Sequence, residues 1–174
     1  VTEVIDKGKT NRHGTTTRFL PDVSIMHVLD YRFRTLAQRF REMAFLTRGL
    51  TIHFVDQREG EEQTFHFEGG IRSFVHYLNR SRTVLHEPFY VEGSVDETSI
   101  EVALQYTDGY AESVLAFANN INTVDGGTHL TGFRSALTRS LNEHARQTNQ
   151  LKDGEENFAG EDVREGLTAI ISVK

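Results

Sequence analysis

The chain of 174 residues has no cysteine, no tryptophan and only two prolines. Without thiols there is no disulfide framework and no thiolate metal site, which fits a cytosolic protein. No apolar run approaches the roughly 18 residues that a membrane-spanning helix needs. The opening VTEVIDKGKT lacks the apolar centre of a signal peptide. Positive charge is in the minority, with 19 Lys and Arg against 25 Asp and Glu and a formal net charge of −6. A freely acting nucleic-acid binder is usually basic overall, so any contact with DNA has to come from a local patch. The first residues, with no initiator Met, read as a strand entered midway. The closing AIISVK reads as a strand cut off at its end. Both ends suggest a piece of a longer protein.

What is present reads as an alternation of strands and helices. VTEVID and TTTRFL flank the turn-rich KGKTNRHG, which predicts a hairpin. Phe33, Leu36, Ala37, Phe40, Met43 and Ala44 recur at helical spacing, predicting a helix over 31–48 with Asp30 as N-cap and Gly49 as left-handed C-terminal cap. Ile52, Phe54, Phe65 and Phe67 alternate with polar residues on either side of REGEEQ, a second hairpin. Ile71, Phe74, Val75 and Leu78 form a shorter helical stripe. Strands are expected at 89–92, 99–106 and 114–118, a long helix at 130–147, a short helix at 162–165 and a last strand at 167–173. The polar stretch NQLKDGEENFAGED, 149–162, reads as a mobile loop. The fold class is therefore α+β: a two-layer sandwich of a mostly antiparallel sheet with helices on one face.

The long helix carries the most suggestive chemistry. With Arg134 at zero and about 100° per residue, Phe133, Leu137, Leu141 and His144 share a stripe near roughly −75°, while Arg139 and Arg146 fall at about 140° and 120°. Only Glu143 offsets these three Arg. A solvated face explains the pattern, and so does a surface that meets phosphate through planar donor forks. The first helix adds Arg32, Arg34, Arg39, Arg41 and Arg48 against Glu42 alone. The eight His show no zinc-site spacing. His129, fixed by the preceding Gly-Gly-Thr, could cap a helix or bond a carbonyl, and no nucleophile motif accompanies it. KGKTNRHGTT lacks the spacing of a phosphate loop. Glu59, Glu61 and Glu62 form a solvated hairpin tip, and Glu155, Glu156, Glu161 and Asp162 look the same.

The stretch FANNINTVDGGTHLTGF, 117–133, holds more than a linker needs. NNINTVDGGTHLTGFRSALTR resembles the signature of the B subunit of bacterial DNA gyrase, within the type IIA topoisomerase B-subunit family. GTTTRFLPD, REMAFLTRGLTIHFVDQR, FHFEGGIRSFVHYLN, EVALQYTDGY and GEDVREGLTAIISVK match further segments of that family in order. The resemblance covers nearly the whole chain. It implies that residues 1–21 are the last hairpin of a Bergerat-type (GHKL) ATPase domain. It also implies that 22–174 are the transducer domain, ending before its Gln-Thr-Lys loop and including a left-handed βαβ crossover of the ribosomal-protein type. Function would be the coupling of ATP binding and hydrolysis to passage of a DNA segment through a double-strand break. The outcome would be negative supercoiling for gyrase, or decatenation for the sister topoisomerase IV; a standalone α+β nucleic-acid-binding module is the other alternative. ATP and Mg2+ belong to the parent protein, and this segment alone is not expected to hold them. Only Gly14 and Thr15 match residues near the adenine, and no catalytic residue is expected here. Arg134, Arg139 and Arg146 are the candidates for DNA contact, with the GGTHL turn architectural. The implied partners are double-stranded DNA, the gyrase A subunit, plus a second B subunit, in an A2B2 complex in the cytoplasm and without a membrane.

Overall fold

The computed structural model describes every residue except Val1, Thr2, Val4, Lys7, Arg12, Val28 and Asp153. It divides into two compact units, Val1–Arg32 and Phe33–Lys174. The described residues of the first unit form neither helix nor strand. Their regular feature is a turn in which Asp22 Oδ1 accepts hydrogen bonds from the Ser24 amide and hydroxyl. The hairpin expected over the first twenty residues is thus not formed among those described; Val1, Thr2 and Val4, on its first strand, lie outside them. An isolated two-stranded ribbon buries too little to hold itself together, and 15–20 is exposed throughout.

The second unit begins with α1 (Phe33–Leu46), whose Phe33, Ala37, Phe40 and Ala44 make one apolar face. Gly49, at φ +82°, ends it in the left-handed conformation that glycine adopts without strain. The hairpin β1 (Thr51–Asp56) and β2 (Glu61–His66) covers that face, with Phe54 stacked on Phe33 at 4.7 Å between centroids. Helix α2 (Gly70–Leu78) then packs beside α1 through Phe45, which stacks on Phe67 and Phe74.

The main sheet has the order β3-β4-β7-β5-β6, with strands β3 (Phe89–Val95), β4 (Thr98–Tyr106), β5 (Ser113–Ala118), β6 (Ile121–Asn122) and β7 (Leu167–Val173). Every pairing is antiparallel except β5 with β7. Between those parallel neighbours run β6, the long helix α3 (Thr128–Gln147) and the short helix α4 (Gly160–Arg164), so the connection is a βαβ crossover. The α+β class and the mostly antiparallel sheet are as expected.

The expectation of helices on one face needs correction. Phe45, Leu46, Phe74 and Val75 of α1 and α2 pack against Ala103, Phe117 and Ile170. Leu130, Phe133 and Leu137 of α3 pack against Leu167, Ala169 and Ile171. Successive residues of a strand point to opposite faces, so Ile170 and Ile171 place these helices on opposite sides of the sheet. The cause is β7 itself. It is central and buried at six of its seven positions, with Ile170 packed on one side and Leu167, Ala169 and Ile171 on the other, as strands covered from both sides are.

The segment 149–159 also differs from expectation. Asn142 accepts a hydrogen bond from the Phe158 amide at 2.8 Å and donates one to the Phe158 carbonyl at 3.1 Å. Arg146 donates to the carbonyls of Lys152 and Glu155 and to the Asn157 side chain. Its polar composition suggested a free loop; the backbone of Phe158, the carbonyls of Lys152 and Glu155 and the Asn157 side chain are in fact held by α3.

Candidate nucleic-acid interface

The motif that leads into α3 is a set of backbone turns. Asn119 and Asn120 adopt left-handed φ of 49° and 65° at the β5–β6 turn, which Asn tolerates better than other residues with a Cβ. The Thr123 amide and hydroxyl both donate to the Ala116 carbonyl, at 2.9 and 3.0 Å. With its proton committed there, the Thr123 oxygen accepts from His129 Nε2 at 3.1 Å. A Cβ on Gly127 would lie 2.8 Å from the His129 ring, and Gly127 sits at φ +149°. The two glycines and the histidine therefore set the angle at which α3 leaves the turn. His129 bonds a hydroxyl rather than a carbonyl.

Once aimed, α3 turns Leu130, Phe133 and Leu137 to the sheet. Its other side lines an open groove of about 640 Å3 with Arg134, Arg139 and Arg146. Helical periodicity makes this possible, because positions 134, 138, 142 and 146 stack at spacings of four. Asn157, Phe158, Gly160 and Arg164 form the opposite wall. Arg164 was not among the residues singled out from the sequence. It comes from α4, eighteen positions beyond Arg146, inside an acidic segment. Its guanidinium reaches the groove because Gly160 has no side chain there; a Cβ would stand 2.7 Å from an Arg164 terminal nitrogen.

The arginines are held differently. Arg134 donates through Nε and a terminal nitrogen to Glu112 Oε1, at 3.0 and 2.7 Å. Arg164 Nε donates to Glu112 Oε2 at 3.2 Å. Arg146 is engaged with carbonyls and an amide oxygen, all neutral acceptors. Arg139 is 73% exposed and stands 4.0 Å from Glu143, too far for a hydrogen bond. The three sequence candidates thus share one groove, but Arg139 alone of them points its donors freely to solvent; Arg134 and Arg146 spend theirs on the protein.

Gly14 and Thr15 lie in the first unit, exposed and in irregular backbone. A Cβ added to Gly14 would meet nothing within 4 Å. Among the described residues no three His, Asp or Glu side chains converge on a point that could hold Mg2+. No helix of the described residues is long and apolar enough to cross a membrane.

The architecture is that of gyrase ATPase-region structures. The chain superposes on the 43K ATPase domain of Thermus thermophilus gyrase B, solved with an aminocoumarin, with a TM-score of 0.79 and 39% identity over 88% of this chain and 42% of that one. Residues 70–174 match the family model for DNA gyrase B, and the chain belongs to that family. It is 52% identical to the DNA gyrase B subunit of Clostridium acetobutylicum over 96% of its length, and 52% identical to that of Archaeoglobus fulgidus over 99%. It spans about a quarter of the length of those relatives, 26% and 27%.

Proposed function

We infer that this chain is the transducer region of a gyrase B subunit, with residues 1–21 belonging to the adjoining ATPase domain and 22–174 to the transducer. The parent protein would be an ATP-dependent type II DNA topoisomerase that passes one duplex through a double-strand break in another and introduces negative supercoils. ATP and Mg2+ would be bound by parts of the protein beyond these residues. The partners would be duplex DNA, the gyrase A subunit, plus a second B subunit, together forming A2B2 in the cytoplasm.

One observation carries the reading: an acidic chain gathers four arginines from two helices around a single open groove. Transport of any DNA segment demands contact with the backbone rather than with bases. Arginine supplies it through guanidinium donors that bind phosphate without regard to sequence. Arg139, exposed and free of a close carboxylate, is the first residue to meet a phosphate, with the charge of Arg146 behind it. The crossover that carries α3 ends in β7, the strand at the centre of the sheet. Because Leu130, Phe133 and Leu137 pack α3 directly on β7, a displacement of α3 by passing DNA is transmitted to the core.

The test is Arg139→Glu in the full-length protein reconstituted with its gyrase A partner. Supercoiling should fall, duplex binding should lose about one unit of salt exponent, and ATP hydrolysis without DNA should stay near wild type. Unaltered supercoiling together with an unaltered salt exponent would overturn the reading.

A further inference from the structure

Glu112 joins two arginines that come from different helices. Its Oε1 takes both donors of Arg134, on α3, and its Oε2 takes the Nε of Arg164, on α4. Glu112 itself lies just before β5, one residue ahead of Ser113. Both arginines line the groove. Of the residues lining the groove, four guanidinium groups stand with one carboxylate, Glu143; Glu112 pairs with two of the four from a neighbouring surface that also carries Glu161, Asp162 and Glu165.

The two carboxylates are not equivalent. Glu143 is 63% exposed and 4.0 Å from its arginine, and exposed pairs of that kind contribute little. Glu112 is 28% exposed and holds its partners at 2.7 and 3.2 Å, in charge-assisted hydrogen bonds of the strong type. The donors of Arg134 and Arg164 are those that a phosphate would use, and a carboxylate offers them the same acceptor geometry.

We propose that Glu112 is an intramolecular counter-anion of the groove: it occupies Arg134 and Arg164 in place of a backbone phosphate and so limits how tightly a duplex is held. The proposal rests on the reading of the groove as a DNA surface. Each guanidinium set free would add one phosphate contact, and each contact steepens the salt dependence of binding by about 0.9. A surface along which DNA must move gains from two arginines kept in reserve, because a grip that strengthens with every contact also slows release. A plain structural brace between α3 and α4 would use the same three residues, and the two roles differ in what happens to DNA binding.

The measurement is the affinity of the full-length protein for a short mixed-sequence duplex across a salt series. Glu112→Gln should tighten binding several-fold at low salt and steepen the log–log slope by about one to two units. Glu112→Asp, which keeps the charge, should remain near wild type. Arg164→Gln should flatten the slope much less than Arg139→Gln does, because its Nε is already held by Glu112; this second variant decides the matter if Glu112→Gln does not fold. Arg139→Gln should flatten the slope by about one. A flat response to Glu112→Gln, or a loss of about one unit in Arg164→Gln, combined with the expected loss in Arg139→Gln, overturns the counter-anion role and leaves the groove standing. No loss in Arg139→Gln overturns the groove and the counter-anion together.

Discussion

Thr168 and Asn79, eighty-nine positions apart, meet in the interior, where the Thr168 hydroxyl donates to Asn79 Oδ1 at 2.8 Å. Asn79 Nδ2 in turn donates to Gln105 Oε1 at 2.9 Å, and Gln105 Nε2 to the His86 carbonyl. The three side chains are 0%, 2% and 1% exposed. The chain of bonds ties the C-terminal end of α2 to β4 and β7 beneath the helices. Thr168→Val keeps the shape and deletes the donor, leaving Asn79 Oδ1 with only the distant Arg82 at 3.5 Å. The expected cost is about 1–3 kcal/mol, the penalty for orphaning a buried polar atom. Urea denaturation should show a lower midpoint at an unaltered slope; an unmoved midpoint would contradict the account.

The same strand shows how far the sequence could be read. LTAIISV was recognisable as a strand, and its bounds are those expected, 167–173. Its adjacent Ala169, Ile170 and Ile171 put apolar side chains on both faces, hence helices on both sides, although a one-sided layer was expected. The groove was half visible. Arg134, Arg139 and Arg146 follow from helical spacing, and all three line it. Arg164 was invisible, because its place depends on how Asn142 and Arg146 anchor the intervening segment, and no local periodicity encodes that. Among the described residues of 1–20 the expected hairpin is not formed, since alternation and turn residues favour a strand only where a neighbouring strand or packed face receives it.

The β1–β2 turn gives the fold an acid-sensitive point. Asp56 is almost fully buried and accepts bonds from the Arg58 side chain and amide, which bring its pKa down from 3.8 to about 2. A carboxyl whose folded value is depressed adds stability above its unfolded value and loses it as the pH falls through the folded one. That contribution should therefore be complete above about pH 4 and vanish toward pH 2. Asp56→Asn should remove this part of the acid dependence, so a difference between the two proteins at neutral pH should shrink as thermal unfolding is followed down to pH 2. A gap that stays constant over that window would argue against the assignment.

Gly166 should tolerate no side chain. Its φ is +71°, and an added Cβ would lie 2.5 Å from the Thr107 carbonyl oxygen and 2.6 Å from that of Gly109. Both obstacles are backbone, and Thr107 is held in turn by donating its amide to the Gly166 carbonyl at 2.9 Å. The left-handed conformation alone costs a non-glycine residue about 1–2 kcal/mol, and displacement of the β4 end adds to it. Gly166→Ala should therefore destabilise the protein by about 3 kcal/mol or more, within the range of severe single substitutions. A Gly154→Ala control, at φ +92° with nothing within 4 Å of the added carbon, should show only the backbone part. Equal losses in the two variants would mean that the close approach is not what Gly166 serves.

Arg146 should govern the order of the segment that forms the far wall of the groove. Its guanidinium donates to Asn157 Oδ1 at 2.7 and 3.1 Å, to the Glu155 carbonyl at 2.9 Å and to that of Lys152 at 3.3 Å. Lysine cannot reproduce this, since a single ammonium does not present a planar fork to acceptors spread over six residues. Arg146→Met retains much of the length and removes every donor. The acceptors are reachable by water, so the global cost should be small, about 1 kcal/mol, while the local effect is large. Amide exchange in 155–158 should accelerate strongly, with protease cleavage concentrated there, and Arg146→Lys should resemble Arg146→Met rather than wild type. Exchange should stay slow in α3 itself, because Leu130, Phe133 and Leu137 still hold it to the sheet. Uniform acceleration across α3 and the segment would show instead that Arg146 supports the helix, and that the wall is held by Asn142 alone.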